Sequence, residues 1–457
     1  MIKKITRIVF RSLFRLAVIC RWYGLFVLVY SRVLRGRIAD GRTVPISRLP
    51  KDGSITILAL SPDHFHPGNL DALAANNKCR LLQIPECWQT RLIYLFYSQR
   101  LRSQCQRKTD FTNPPPDSPV YQSKTEFRSF LRKFLLRLYR RLGIDCVISP
   151  HNEYHEDIDW GEVSKEIGVP YIVLHRESFL AISYVENNIT NRLKNLYCFR
   201  GSHMVVYNEL SRKYYIDIGY VSPERISSLG CPRMDNFLKK LCGIGIPVNK
   251  RKKVVLFPFS VSYDGFFSET FRDVHVAIAR LAKDHPEIDI LIKPKKNFYP
   301  SWRKQLDRVF KKGGIKLQEI SNLHISTDLN VQQLLLETDV VCGFNTTAIL
   351  EAAIAGKPVI IPYFQELQNP KYDERIKFRE ALYLFDLAGN AEELESLILY
   401  RLEDPKIERK IMEGRKALFE KYVSSIKGDA TEKHITLIKD IVNKEHRPTI
   451  RSTTTLG

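Results

Sequence analysis

Short apolar runs rich in Val, Ile and Leu alternate with longer amphipathic stretches along most of the 457 residues. Apolar runs that are separated by helices are typical of parallel strands covered on both faces. The pattern therefore predicts an α/β fold. The predicted strands are Ile55–Leu60, Ile144–Ser149, Tyr171–Leu174, Met204–Tyr207, Val254–Phe257, Ile288–Lys293, Leu323–Ile325, Val340–Phe344 and Pro358–Pro362.

The strands fall into two sets, divided near 238–252 by a basic segment. Two sets predict two Rossmann-like domains that face a cleft. Predicted helices include Glu126–Arg141, after a Pro-rich loop at 106–123, and Ser268–Asp284 and Thr346–Ala355. The predicted division is an N-terminal segment at 1–42, domains at 43–238 and 250–405, C-terminal helices at 406–445 and a tail at 446–457.

Charge separates the N-terminal segment from the rest. The chain has 71 Lys and Arg against 50 Asp and Glu, and residues 1–42 hold ten of the basic residues with one acid. We expect an interfacial helix on an anionic membrane, peripheral or anchored by a single helix, at the cytoplasmic face of the inner membrane. A single spanning helix and a soluble helix packed on the first domain are the alternatives. The side chains expected to enter the acyl boundary are Trp22, Tyr23, Leu25, Phe26 and Leu28.

The remaining composition excludes other classes of protein. Hydrophobic residues make up 44% and charged residues 26%, which argues against wholesale disorder. The nine cysteines never form a C-x-x-C pair, which suits a reducing compartment and gives no zinc motif. A nucleic-acid partner is not expected, because no aromatic-interleaved basic motif occurs.

The run from Asp339 to Tyr363 carries the clearest chemistry. A buried strand leads into Asn345, and a helix is predicted from Thr346. Free amides at a helix start, with the hydroxyls of Thr346 and Thr347 beside them, suit a phosphate group. Glu351 follows one turn later on an otherwise apolar face, where it would accept sugar hydroxyls or pair with a basic side chain.

This run resembles the donor-binding helix of GT-B glycosyltransferases that make bacterial surface polysaccharides, and of the related teichoic-acid glycerophosphotransferases. Two more segments agree, namely Gly219–Asp235, which is similar to their interdomain passage, and Ile288–Lys296, which resembles their Lys-Pro loop. Together the three segments cover roughly 203–363 in the family's order. The resemblance departs at Lys295, where the family usually has His.

The resemblance implies a nucleotide-sugar donor on the second domain, with Glu351 on the ribose and Asn345, Thr346 and Thr347 on the phosphates. Lys293 would add positive charge there, as a metal-independent transferase requires for its leaving group. It also implies that the first domain binds a glycan or lipid-linked acceptor. No metal and no cofactor are expected.

The catalytic base is expected at strand ends of the first domain. Three clusters of His and acidic residues follow predicted strands there, and similar transferases carry a Glu in a setting comparable to 171–177. Glu177 or His175 is therefore the favoured base. The other acceptor-side candidates are Asp63, His64, His66 and His151.

Two metal-like patterns in the first domain are interpreted as chance. Asp157-Ile-Asp159 matches the D-x-D motif of GT-A enzymes, but the two-domain pattern disagrees with that fold. His151 and His155 have helical metal-pair spacing, but Pro150 makes a helix there unfavourable.

The predicted function is a membrane-associated glycosyltransferase that moves a sugar from a nucleotide donor to a surface glycan or lipid-linked acceptor. Within the same fold, a polyol-phosphate transferase of the CDP-glycerol type and a UDP-sugar epimerase remain alternatives. A nucleic-acid-binding protein and an inactive GT-B scaffold are the alternatives from other classes.

Overall fold

The computed structural model describes residues 13–49, 55–66, 68–105, 108–151, 153, 155–175, 189–191, 193–194, 198–243, 251–259, 261 and 267–446. These residues form two compact units. Unit 1 takes its described residues from Met1–Ser178, Ile189–Asn236 and Lys427–Gly457, and unit 2 takes them from Phe237–Ile426.

Unit 1 is built on an eight-stranded sheet in the order β2-β1-β4-β3-β5-β6-β7-β8. The strands from β3 to β8 pair in parallel, and the hairpin of β1 and β2 joins the edge antiparallel. Its strands are β1 (Arg35–Arg37), β2 (Thr43–Pro45), β3 (Ile55–Ala59), β4 (Cys79–Gln83), β5 (Cys146–Ser149), β6 (Tyr171–Leu174), β7 (His203–Val206) and β8 (Ile226–Ser228).

The helices of unit 1 cover this sheet. They are α1 (Tyr23–Val33), α2 (Asn69–Ala75), α3 (Glu86–Phe96), α4 (Gln99–Gln104), α5 (Lys108–Thr112), α6 (Pro119–Leu142), α7 (His155–Glu166), α8 (Glu209–Asp217) and the C-terminal helix Ala430–His446. Helix α9 (Pro232–Gly243) begins in unit 1 and ends in unit 2.

Unit 2 has six strands, all parallel, in the order β11-β10-β9-β12-β13-β14. This is the doubly wound order of a Rossmann sheet. Its strands are β9 (Lys253–Phe257), β10 (Asp289–Ile292), β11 (Leu323–Ile325), β12 (Val340–Gly343), β13 (Val359–Pro362) and β14 (Asp386–Ala388). Its helices are α10 (Ser268–Asp284), α11 (Tyr299–Lys312), α12 (Val331–Glu337), α13 (Ala348–Ile354), α14 (Ala391–Glu403) and α15 (Arg409–Tyr422).

The predicted α/β fold with two parallel sheets is confirmed. Each of the nine predicted strands is present, with ends within about two residues of the prediction, because a strand covered on both faces needs an unbroken apolar run. The predicted loop at 106–123 is wrong in part, because α5 and the start of α6 lie within it. Pro119 occupies the first turn of α6, where no amide is needed, and Ser118 caps that helix.

The N-terminal helix is packed on unit 1. Phe26 is 0% exposed, and its ring lies 4.8 Å from that of Phe130 on α6. Tyr30 is also buried, and its hydroxyl donates to the carbonyl oxygen of Trp88 over 2.9 Å. The prediction that Phe26 enters a bilayer is therefore wrong. Among the described residues, we find no helix with the length and apolarity that crossing a membrane requires.

The C-terminal helices divide between the units. Helix α15 belongs to unit 2, whereas the C-terminal helix Ala430–His446 (α16) belongs to unit 1. Ile435, Ile438 and Val442 of α16 join the core beneath β3 and β5. The buried carboxylate of Asp235 accepts hydrogen bonds from the amides of Ala430 and Thr431, at 3.2 and 2.7 Å. The Asp that ends the interdomain motif therefore caps α16.

Candidate functional site

The predicted donor residues lie at the switch point of the unit 2 sheet. Strands β9 and β12 are adjacent, but their connections lead to β10 and β13, which lie on opposite sides of the pair. Loops that leave such a pair diverge, and ligands of doubly wound folds bind in the crevice between them. Asn345, Thr346 and Thr347 directly follow β12.

Three phenylalanine rings pack against one another beside this switch point. Phe259 follows β9, Phe344 follows β12, and Phe267 precedes α10. The ring of Phe344 lies 5.6 Å from that of Phe259 and 5.2 Å from that of Phe267, and all three side chains are buried. Phe259 and Phe267 were not among the predicted site residues, because their rings meet only in the folded unit.

Lys293 follows β10, the strand next to β9, and is only 9% exposed. Its ammonium donates to the carbonyl oxygens of Thr327 and Pro294, at 2.8 and 3.5 Å. Burial lowers the pKa of Lys293. The negative charge of Asp328 partly opposes this shift, and the positive charge of Lys296 lowers the pKa further. A buried cation held by carbonyl oxygens would gain most from an anionic ligand.

Thr346, Thr347 and Glu351 surround the start of α13. The hydroxyl of Thr346, which is buried, accepts a hydrogen bond of 3.3 Å from the amide of Ala348. Thr347 is the N-cap residue, and its side chain makes no capping hydrogen bond. Glu351, on the apolar face of α13, is only 3% exposed. The ligand contacts predicted for these residues stay predictions.

Asn345 holds a distant loop of unit 2. Its amide nitrogen donates to the carbonyl oxygen of Arg375 over 2.8 Å, and its amide oxygen accepts from the backbone nitrogen of Lys377 over 2.8 Å. Asn345 itself has a φ of 53°, in the left-handed region that Asn tolerates better than most residues. Asn345 therefore ties the segment around Arg375–Lys377 to the end of β12, a role that the sequence analysis did not predict.

Unit 1 has its own switch point, between β3 and β5, whose connections lead to β4 and β6 on opposite sides. The fully buried carboxylate of Asp157 bridges the two diverging loops. It accepts hydrogen bonds from the hydroxyls of Ser61 and Ser149, both over 2.7 Å, and from the amide of Gln89 over 2.8 Å. Burial raises the pKa of Asp157 to about 6, against the opposing effect of these three hydrogen bonds.

Two of the predicted histidines meet near this bridge. The rings of His151 and His175 lie 5.1 Å apart, after β5 and β6. His175 is 4% exposed, and its Nε2 lies 3.1 Å from the hydroxyl of Tyr215. Nδ1 of His151 accepts from the amide of Glu153 over 3.2 Å. Glu177, the other favoured base, lies outside the described residues.

The third cluster follows β3. Asp63 is exposed, and His66 is half-buried. Nε2 of His64 lies 2.8 Å from a carboxylate oxygen of Glu86, the first residue of α3. Sequence reasoning missed Glu86 because β4, the strand that precedes it, was not predicted.

The two acids of the D-x-D pattern have partners inside unit 1. Asp157 forms the bridge just described, and Asp159 accepts from the ammonium of Lys124 over 2.8 Å and pairs with Arg128 at 3.2 Å. His155 begins α7, so His151 is not on the same helix. Among the described residues, no group of three or more His, Cys, Asp or Glu side chains is placed to hold a metal ion.

No protein-family model and no curated protein matches the sequence. A search of solved structures finds similar chains at low sequence identity. The UDP-GlcNAc 2-epimerase of Neisseria meningitidis, bound to UDP-GlcNAc, is 16% identical over 84% of this chain and 99% of its own, with a TM-score of 0.46. A glycosyltransferase of Rickettsia africae is 12% identical over 85% and 99%, with a TM-score of 0.44.

The wall teichoic acid polymerase TagF is 12% identical over 86% of this chain and 90% of its own, with a TM-score of 0.46. Identities and TM-scores this low transfer no residue or activity to this chain. The architecture itself, two units that each carry a mainly parallel sheet with helices, agrees with the GT-B fold that the sequence predicts.

Proposed function

We propose that the protein is a GT-B transferase that moves a sugar from a nucleotide donor to a surface glycan or lipid-linked acceptor. The observation that carries this proposal is Lys293, a buried ammonium held by carbonyl oxygens next to the switch point of unit 2. In this proposal the cation faces the phosphates of the donor and stabilises the negative charge that develops as the nucleotide leaves.

The residues around α13 support the same assignment. The end of β12, the amide of Thr347 and the hydroxyls of Thr346 and Thr347 supply polar groups at the sheet edge where ligands of this fold class bind. Glu351 supplies a buried carboxylate for the ribose hydroxyls, and the rings of Phe259, Phe267 and Phe344 supply apolar groups next to the switch point. In this proposal unit 1 carries the group that deprotonates the acceptor, and His175, which follows β6, and Glu177 are the favoured candidates.

A thermal-shift screen with CMP, UDP, GDP, CDP and ADP tests the donor site. A ligand present at about 100 times its Kd stabilises the native state by about 2.7 kcal/mol, so the correct nucleotide raises the Tm of the wild type. Glu351→Ala should lose most of that shift. The assignment is wrong if no nucleotide stabilises the wild type, or if Glu351→Ala responds equally.

We also propose that the N-terminal residues 13–35 bring unit 1 to an anionic membrane. Phe14, Ala17, Phe26 and Tyr30 face the protein, whereas five large apolar side chains around them are exposed. Exposed arginines lie among these apolar side chains, as binding to anionic headgroups requires. The exposed apolar side chains are Leu13, Leu16, Ile19, Trp22 and Leu28, and the exposed arginines are Arg15, Arg21, Arg32 and Arg35.

A further inference from the structure

An apolar pocket lies on unit 1 beside the N-terminal helix. It is formed where the last turns of α1 meet the start of β1 and the start of α3. Its volume of about 390 Å³ has room for about 13 groups of the size of a water molecule, at about 30 Å³ each, which corresponds to part of one acyl chain. The lining residues are Val29, Val33, Pro85 and Trp88, together with Arg32 and Arg35.

The apolar walls of this pocket are held in place by contacts between α1 and α3. Val29 and Val33 are one turn apart, so their side chains share a face of α1. The ring of Trp88 packs edge to face against that of the buried Tyr30, with 5.7 Å between their centres, and the Tyr30 hydroxyl donates to the carbonyl oxygen of Trp88. The two valines, Pro85 and Trp88 are all half-buried, so they present apolar surface that a ligand can cover.

Three arginines place positive charge around these apolar walls. Arg32 and Arg35 are exposed, and the guanidinium of Arg91 lies 5.0 Å from the centre of the Trp88 ring. Nη1 of Arg35 donates to the carbonyl oxygen of Arg32 over 2.6 Å, which leaves its Nε and Nη2 groups for a ligand. In the part of the chain that the structure describes, none of the three arginines pairs with a carboxylate, and the adjacent acid Glu86 pairs with a histidine instead.

This combination of apolar walls and positive charge selects one class of ligand. An apolar ligand would leave the arginines without an anion, and a free anion would leave the apolar walls uncovered. A phospholipid supplies an acyl chain for the walls and a phosphate for the guanidinium groups, which suit phosphate oxygens. Leu28, which is 39% exposed and precedes Val29 on α1, extends the apolar surface from the pocket toward the side chains that we propose contact the membrane.

We propose that this pocket binds one phospholipid of an anionic membrane, with an acyl chain between α1 and α3 and the phosphate on Arg32 and Arg35. This inference rests on the proposed attachment of unit 1 to a membrane and identifies a specific lipid contact within it. Pro85 comes just after β4, and Arg35 pairs with Gln83 at the end of β4, so the pocket lies at the carboxyl edge of the sheet. A lipid bound there holds at the bilayer the edge where ligands of this fold class bind.

Calorimetric titration of the full chain with dihexanoyl phosphatidylglycerol, below its micelle concentration, tests the pocket without a membrane surface. We expect saturable binding of this lipid, weaker binding of dihexanoyl phosphatidylcholine, and no binding of glycerol 3-phosphate, which has the phosphate but no chain. Val29→Trp fills the pocket and keeps every charge. It should raise the Kd by about 10-fold or more, because each methylene group excluded from the pocket costs about a factor of 4 in affinity. Arg32→Gln and Arg35→Gln should each raise the Kd by about 5-fold, as for removal of one basic residue near an anionic lipid.

The N-terminal residues offer matched controls. Leu28→Trp adds the same side chain as Val29→Trp at an exposed position of α1 that does not line the pocket. Arg15→Gln removes one exposed arginine that does not line the pocket either. Both variants should keep the wild-type Kd for the short-chain lipid. The inference is overturned if dihexanoyl phosphatidylglycerol does not bind saturably, if Val29→Trp binds it as tightly as Leu28→Trp does, or if glycerol 3-phosphate binds equally well.

Two further variants separate this inference from the membrane proposal. Ile19→Glu and Trp22→Glu should release the protein from vesicles but keep the wild-type Kd for the short-chain lipid, because neither residue lines the pocket. Vesicle binding without binding of the short-chain lipid would contradict the pocket alone. Binding of the short-chain lipid by a wild type that does not bind vesicles would contradict the membrane proposal and leave the lipid site in place.

Discussion

The side-chain amide of Asn345 donates a hydrogen bond of 2.8 Å to the carbonyl oxygen of Arg375, 30 residues further along the chain. Its amide oxygen accepts from the amide of Lys377 in return. One side chain at the end of β12 thus holds a segment that contains two basic residues beside the proposed donor site. Asn345 therefore positions the segment that contains Arg375 and Lys377, and it is also a candidate for binding the donor phosphates.

At Asn345 the glycine variant should be at least as stable as the alanine variant, which reverses the usual order of stability of these two residues. Loss of the two hydrogen bonds should cost about 1–3 kcal/mol in either variant. Alanine is ordinarily more stable than glycine, but at a φ of 53° it also suffers a left-handed penalty of about 1–2 kcal/mol. Calorimetric unfolding should therefore give Asn345→Ala a Tm no higher than that of Asn345→Gly. A clearly higher Tm for the alanine variant would show that this conformation is not required.

Asp157 should make stability depend on pH in a defined direction. Burial raises its pKa from an ordinary value of 3.8 to about 6, so between these pH values the native state binds a proton that the unfolded state does not. Stability from this group is therefore present below about pH 4 and is lost as the pH rises through 6. Full loss corresponds to on the order of 3 kcal/mol.

Asp157→Asn isolates this effect, because asparagine keeps the shape and can still hydrogen-bond Ser61 and Ser149. Denaturation of both proteins by urea at pH 4, 5, 6 and 7 provides the measurement. The wild type should lose stability relative to Asp157→Asn as the pH rises across this range. A difference that stays constant with pH would contradict the buried, proton-binding carboxylate.

The exposed N-terminal apolar side chains should control membrane binding. Ile19 is 76% exposed and Trp22 is 50% exposed, so glutamate at these positions removes apolar contacts and adds repulsion without disturbing the core. Co-sedimentation with vesicles of phosphatidylserine and phosphatidylcholine should fall for Ile19→Glu and Trp22→Glu. Leu329→Glu, on a 46% exposed residue of unit 2, serves as the control.

Retention of both N-terminal variants on these vesicles, at the level of the control, would refute the membrane proposal. Deletion of residues 1–42 is a poor test of the same idea. It removes Phe26 and Tyr30, which are buried against α6 and α3, so such a protein would lose part of the unit 1 core.

The sequence predicts some strands and helices better than others, because only some of them have a distinctive pattern of apolar residues. Strands such as β6 and β12 are buried on both faces and reveal themselves as unbroken apolar runs. Strand β4 contains Arg80 and Gln83, and β1 has the sequence Arg-Gly-Arg, so neither shows such a run. The predicted start of α6 is too late because prolines are typical of loops, although proline also suits the first turn of a helix, as Pro119 does here.

The candidate sites show the same limit. Thr346 and Glu351 could be found from the sequence because they lie on the strand and helix that carry the motif. Glu86, and the partners of Asn345 on the loop near Arg375, could not be found because those contacts join distant segments. Local pattern identifies which element carries a polar side chain, and only the sheet order decides which side chains meet.

A calorimetric titration of Lys293→Met tests the central claim most directly, with the nucleotide that stabilises the wild type most in the thermal-shift screen. Lys293 is buried at the proposed phosphate position, whereas Lys296 is exposed and paired with Asp328 at 3.1 Å. A lost charge-assisted hydrogen bond of about 1.5–3 kcal/mol corresponds to a Kd raised by roughly 10- to 150-fold. We predict that loss for Lys293→Met and less than about 3-fold for Lys296→Met, as for an exposed ion pair. Equal affinity of Lys293→Met and the wild type would contradict a nucleotide donor bound at this site.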